Sequence, residues 1–185
     1  MSSPDRAPLA APRLVRIALA LSLAGALAGC FQPMYASGTT AAGPKLQEKL
    51  GDIQIVKIDG ELGNDLRNDL IFDLTGGAGN PQNAPYKMYI TVKSTSTYAI
   101  VNTSSGLPEA KVVRVSGDWT LVKVGEENKP PAKGSAAASA SLDVSQERFA
   151  NYSATRDAEK RAAGTLAEMI KAQLAAYFVK QQAGS

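Results

Sequence analysis

Two runs of strict alternation constrain this chain more than any other feature in it. Along Tyr86–Lys93, Tyr86, Met88, Ile90 and Val92 share one side, and Lys87, Tyr89, Thr91 and Lys93 share the other. Along Lys111–Val124, Val113, Val115, Gly117, Trp119 and Leu121 alternate with Arg114, Ser116, Asp118 and Thr120. Successive side chains of a β-strand point to opposite faces, so each run reads as a strand with one apolar and one polar side. The first run continues more weakly through Thr95, Thr97 and Tyr98 to Val101, and the Ser- and Gly-bearing stretch Asn102–Pro108 supplies a turn. Neighbouring strands that both alternate cleanly argue an antiparallel hairpin with one covered face. Trp119 is the only tryptophan and lies on the apolar side, where it reads as a core anchor.

The remaining segments supply what covers that face. Asp52–Ile58 is rich in β-branched residues and reads as a further strand. Asp59 and Gly60 turn the chain into Glu61–Leu74, where Leu62, Leu66, Leu70 and Leu74 recur every four residues beside Ile71. That is the apolar stripe of an amphipathic helix. Asp59 is placed to cap it, Glu61 suits its positive end, and Gly76-Gly77 can end it in a left-handed turn. Asp65, Asp69 and Asp73 share another of its faces and read as a solvated acidic row rather than a cation site. After a polar loop at 125–133, Ser135–Phe149 alternates small residues. It reads as a fourth strand or poorly packed edge, with a low-complexity linker as the other reading. Thr155–Lys180 carries Ala158, Ala162, Leu166, Met169, Ile170, Leu174, Tyr177 and Phe178 at helical spacing, with Ser153 or Thr155 as cap. The order is strand, helix, three strands, helix. It implies a two-layer α+β domain over residues 51–182: a four-stranded, mostly antiparallel sheet with two amphipathic helices on one face. The helix between the first two strands permits parallel pairing there.

Composition removes several kinds of chemistry. There is no histidine, which takes away the commonest general base and metal ligand, and the single cysteine excludes thiolate zinc sites and any internal disulfide. Asp143 and Glu147 are the sort of carboxylate pair left for acid–base work, and without histidine or metal an enzyme is not expected. Of the formal net charge of +3, residues 1–29 hold three Arg and one Asp, so the rest of the chain keeps +1. A nearly neutral body offers no general field for nucleic acid.

The N-terminus carries Arg6, Arg13 and Arg16, then an apolar run from Ile17 to Ala28, then Leu27-Ala28-Gly29-Cys30. A basic segment, a short apolar segment and small residues make a secretory signal, and the run falls short of the ~20 residues a spanning helix needs. Its ending resembles the lipobox of bacterial lipoproteins. The resemblance implies cleavage before Cys30, a diacylglyceryl group on its thiol and acylation of the new amino group. Several acyl chains hold a protein stably to a bilayer where one chain does not. Phe31, where an inner-membrane retention signal would have Asp, implies outer-membrane sorting. Residues 30–50, with Pro33, Gly38, Gly43 and Pro44, read as a flexible tether.

Beyond the lipobox, the chain resembles the alphaproteobacterial form of the lipopolysaccharide-assembly lipoprotein family LptE. The matching pieces are Gly-Cys-Phe-Gln-Pro-Met-Tyr at 29–35, Leu-Arg-Asn-Asp-Leu at 66–70, Tyr-Lys-Met-Tyr-Ile at 86–90, Phe149-Ala150, and Asp157 to Ala162 followed by Leu166, Ala167 and Ile170. The resemblance implies a plug inside an LptD-type outer-membrane β-barrel that helps insert lipopolysaccharide into the outer leaflet, with direct contact through basic groups. The turn 102–108 holds no Lys or Arg, so basic groups must come from the strands. Lipopolysaccharide is a polyanion with an acyl body, and it needs cations beside apolar surface. The candidates are Lys87, Lys93, Lys111, Arg114 and Lys123, of which Lys87, Lys93 and Arg114 are expected to point away from the helices. No cofactor is expected apart from the lipid on Cys30. The rival readings are a periplasmic accessory lipoprotein of a lipid or solute transporter and a structural envelope lipoprotein.

Overall fold

Alternation and helical spacing resolve into seven elements in the computed structural model, which describes residues 43–183 apart from Asn102 and Gln146. In chain order they are α1 (Gly43–Gly51), β1 (Ile53–Ile55), α2 (Glu61–Thr75), β2 (Tyr86–Val101), β3 (Pro108–Lys123), β4 (Ala132–Asp143) and α3 (Arg148–Ala183). The signal, the lipobox with Cys30 and residues 30–42 of the expected tether lie outside the described residues. The fold is α+β, with one four-stranded sheet in the order β1-β2-β3-β4. β1 runs parallel to β2, joined to it through α2, and the other pairs are antiparallel. The apolar sides of the strands meet α2 and α3, which also pack on each other.

The expected alternation sets the core. Met88, Val113, Val115, Trp119 and Leu121 are buried, as are Leu66, Leu70 and Leu74 of α2 and Ala158, Ala162, Leu166, Ile170, Leu174 and Phe178 of α3. Each fully buried large aliphatic side chain contributes about 1.5–3 kcal/mol over its exposed state. Gly117 lies under α3: a Cβ there would stand 3.3 Å from Leu166 Cδ2, so the missing side chain lets the helix seat closely. Gly134, paired with Trp119 across the β3–β4 ladder, gives the indole room, because a Cβ at 134 would meet the ring at 2.5 Å. The indole N–H donates to Gln173 Oε1 at 2.7 Å, and Gln173 Nε2 donates to the Ser135 carbonyl at 2.8 Å. One amide therefore ties the core tryptophan, α3 and β4 together.

Four details depart from the sequence reading. Residues 43–50, placed in the tether on their Gly and Pro, form α1. Pro44 near its start, Gly51 at its end and the helix formers Lys45–Leu50 between them favour the turn, Leu50 is buried, and Gln47 Nε2 donates to the Leu74 carbonyl at 3.0 Å. Asp59 does not cap α2. The cap position is Gly60, and Asp59 is exposed and paired with Lys57 instead. The fourth strand ends at Asp143, and Phe149 belongs to α3. α3 begins seven residues before Thr155, and Ser145 and Asn151 organise its start. The Ser145 amide donates to Asn151 Oδ1, the Asn151 amide group returns a bond to the Ser145 carbonyl, and the Glu147 amide donates to Ser145 Oγ. Gly76 closes α2 as expected, with φ 65° and its N–H donating to the Phe72 carbonyl at 2.8 Å.

The layers differ in length. Sixteen strand residues reach about 53 Å, a thirty-six-residue helix about 54 Å and a fifteen-residue helix about 22 Å. α3 therefore matches the full length of β3 and β4, whereas α2 matches only the base of β2.

Candidate functional site

The face of the sheet turned away from the helices has no layer over it among the described residues. β2 places Lys87, Tyr89, Thr91, Lys93, Thr95 and Thr97 there, because the strand alternates and the other parity is committed to the core. β3 adds Val112, Arg114, Ser116, Asp118, Thr120 and Val122, and β4 adds Lys133, Ser135, Ser139 and Ser141. The result is a floor of hydroxyls with a few charges set into it.

Register decides which charges meet. Thr95 is opposite Arg114 and Lys93 is opposite Ser116, so Lys93 and Arg114 are diagonal neighbours. Diagonal positions stand about 7–8 Å apart, close enough for two cations to share one phosphate group. Both side chains are exposed. Lys87 is half-buried, six residues down the same strand, with the half-exposed Tyr89 beside it. Asp118, between Thr91 and Ser135, separates the two basic spots. Among the described residues no ion pair engages Lys87, Lys93 or Arg114.

The structure does not bring the other two candidates to this face. Lys111 has the parity of the core and donates from Nζ to Thr155 Oγ1 on α3 at 3.5 Å. Lys123 is also on the helix side, at the far end of the strand, where Glu126 Oε1 holds it at 2.6 Å. Hydrogen bonds from Lys123 and then Lys129 pull the Glu126 carboxyl down to about 2, and the bond to Glu126 raises Lys123 in turn. Lys123 is thus spent within its own loop. Lys133 was missed. It stands beside Thr120 on the open face, and the only signal for it was the parity of a strand that starts three residues earlier than the small-residue run suggests.

The acidic row of α2 is not the solvated face that its spacing implied. Asp65, Asp69 and Asp73 are half-buried, and Asp65 and Asp69 face α3. Arg156 of α3 binds Glu61, reaches Asp65 at 3.9 Å and bonds Glu159 at 2.6 Å. Burial, then the neighbouring Asp73 and Asp65, push the Asp69 carboxyl above its usual range, and Lys160 opposes them.

A second exposed surface is apolar and lies at the far end of the β2–β3 hairpin. Tyr98, Ile100 and Leu107 are more than half exposed, and so are Phe149 and Tyr152 at the start of α3. Tyr98 pairs with Lys111, whose contact with Thr155 brings the first turns of α3 to this end. Among the described residues no helix is long and apolar enough to cross a membrane.

Comparison with known proteins gives a fold and a broad class. No family model matches the chain, and no curated protein matches it. Among solved structures it is similar to a protein of Caulobacter crescentus CB15 assigned as a lipoprotein, at 25% identity and a TM-score of 0.59, covering 73% of this chain and 96% of that one. It is also similar to rare lipoprotein B of Shewanella oneidensis, at 10% identity and a TM-score of 0.52, covering 70% and 96%. A minor lipoprotein of Acinetobacter baumannii is a third, more distant likeness, at 17% identity and a TM-score of 0.49, covering 69% of this chain and 95% of that one. The described domain thus has a fold found in bacterial lipoproteins.

Proposed function

We propose that this chain is a lipid-anchored outer-membrane lipoprotein of the LptE type. In this reading it occupies an LptD-type β-barrel as a plug and helps place lipopolysaccharide in the outer leaflet. The observation that carries the reading is the open sheet face. A plug in an aqueous barrel needs a large polar surface, since barrel interiors are polar. Ser and Thr spread over three strands, with charges between them, offer one, and among the described residues no layer covers it. The lipoprotein fold, and the lipobox that ends in Cys30, support anchoring at a membrane.

The same face suits a phosphorylated lipid. Lys93 and Arg114 present point charge and planar guanidinium side by side, and Tyr89 adds aromatic surface near Lys87. The exposed Tyr98, Ile100, Leu107, Phe149 and Tyr152 supply apolar surface for acyl chains at the hairpin end. Lys111 and Lys123 play no part in this reading, because each is engaged on the helix side.

Two measurements test it. Charge reversal at both Lys93 and Arg114 weakens lipopolysaccharide binding, and the loss shrinks as salt is raised. Binding that is unchanged removes the basic pair from the account. The lipidated protein, solubilised in detergent, is expected to co-purify one-to-one with a large outer-membrane barrel. Recovery with an inner-membrane ATPase instead would favour a transporter accessory.

A further inference from the structure

Among the described residues the sheet has three edge segments, and two of them are met by side chains at their outward backbone groups. On β1, Asn80 meets the backbone of Ile55 as another strand would: Ile55 N–H donates to Asn80 Oδ1 at 2.9 Å, and Asn80 Nδ2 donates to the Ile55 carbonyl at 3.0 Å. Arg67 Nε reaches the same carbonyl at 3.4 Å. On β4, α3 sends Arg161 to the Ser141 carbonyl at 3.1 Å and Gln173 to the Ser135 carbonyl at 2.8 Å. The third segment is β2 beyond Met88. The Val56 amide donates to the Met88 carbonyl at 3.0 Å, and past that bond no strand of the described residues lies beside β2.

That bond also fixes which groups face outward. Met88 directs its backbone toward β1, so by alternation Ile90, Val92, Ser94, Ser96 and Tyr98 direct theirs to the same side, into open space. The ladder to β3 stays in register as far as Tyr98, and its irregularities begin only at Tyr98/Ile100. The segment contains no proline, bulge or short break; its one guard is the exposed Lys93, a charge that turns away apolar and basic strands but not an acidic one.

We infer that the edge of β2 from Ile90 to Tyr98 is an acceptor for one extended segment of a partner protein, added as a fifth strand in line with β1. The flanking side chains specify its chemistry. On the helix side an added strand passes first Ile90 and Val92, which call for apolar residues, and then the exposed Ser94, Ser96 and Tyr98, which accept apolar or hydroxylated ones. On the open side it passes Thr91, Lys93 and Thr95, with Arg114 behind them, which call for carboxylates and hydroxyls. The occupant is therefore a segment alternating apolar with acidic or hydroxylated residues. A second copy of this chain fits poorly, because antiparallel pairing about Ser94 sets two Lys93–Arg114 pairs close to each other. The inference shares Lys93 and Arg114 with the proposed lipopolysaccharide site, but it rests on the backbone edge and not on that reading or on the plug.

The test uses the folded protein and a blocked nine-residue peptide that alternates valine with glutamate or threonine, with a lysine-for-glutamate peptide beside it. The glutamate peptide binds in a fluorescence anisotropy titration, at least tenfold more tightly than the lysine peptide. Ser94→Pro removes an outward N–H that the fold does not use. It keeps the melting temperature and cuts binding at least tenfold, as does Ser96→Pro should the first variant fold poorly. It also leaves Lys93 and Arg114 in place, so lipopolysaccharide binding persists in it and failure of the two readings is separable. Absence of binding, equal binding of both peptides, or full binding by the proline variants overturns the inference. So does a homodimer in sedimentation that Ser94→Pro dissolves, which would assign the edge to self-pairing.

Discussion

The two halves of β2 follow one alternation to opposite ends. In the lower half, Met88, Ile90 and Val92 point to the helices and join or flank the core. In the upper half, the same side carries Ser94, Ser96 and Tyr98, all exposed. β3 makes no such change at this level. Val115 and Val113, opposite Ser94 and Ser96, are fully buried. The difference follows from the helices: α3 runs the length of β3 and β4, while α2 is too short to cover β2 beyond its base. The chain switches from aliphatic residues to serine where its cover ends. Strand pairing alone therefore keeps the upper half of β2 ordered, and that half is where both the basic pair and the open edge occur.

Substitutions in the two halves sharpen this contrast. The largest effect is expected for Leu166→Ala, on the α3 surface that seats over Gly117. It should cost about 2–5 kcal/mol in denaturant unfolding, whereas Tyr98→Ala should stay within about 0.5 kcal/mol. A comparable loss at Tyr98 would mean that the upper half is packed after all. Gly134→Ala comes next, at about 1–3 kcal/mol, because the new methyl displaces the indole of Trp119. Trp119 is the only tryptophan, so its emission reports the shift directly. Arg156→Met, which frees the start of α2 from α3, should cost about 0.5–1 kcal/mol, less at high salt.

The smaller effects concern charge. Because the native state raises the Asp69 carboxyl, it holds that proton more tightly than the unfolded chain does. Its penalty is absent at low pH and appears as pH rises through and just above the ordinary carboxylate range. Asp69→Asn should therefore unfold at a slightly higher temperature at pH 7, and the gain should vanish on acidification. A variant less stable than the parent at pH 7 would mean that Asp69 makes a favourable contact instead. Lys123→Met should leave lipopolysaccharide binding unchanged, since Glu126 already engages the ammonium.

Much of this was legible in the sequence. Period-two runs fixed β2 and β3, the four-residue spacing of leucines fixed α2, and Ala158 through Phe178 fixed α3, which together determine a two-layer α+β fold. Parity alone placed Lys87, Lys93 and Arg114 on the open side. What sequence could not carry was tertiary. α1 is only nine residues long, too short to stand alone, and its Leu50 is buried because α2 and α3 meet it. Asp59 looks like a cap, but the backbone turns at Gly60 and leaves its carboxylate outside. The acidic row of α2 looks solvated until Arg156 and Lys160 arrive from an element ninety residues later. The edge protection by Asn80, Arg161 and Gln173 has no local signature, because each bond spans twenty residues or more.

The long closing helix also bears on the order in which the molecule can assemble. α3 follows every described strand, and it packs along β3 and β4, which carry Val113, Val115 and Ala138. Until it is synthesised the apolar side of the sheet lacks most of its cover, so the two-layer core closes only when the last element of the chain arrives.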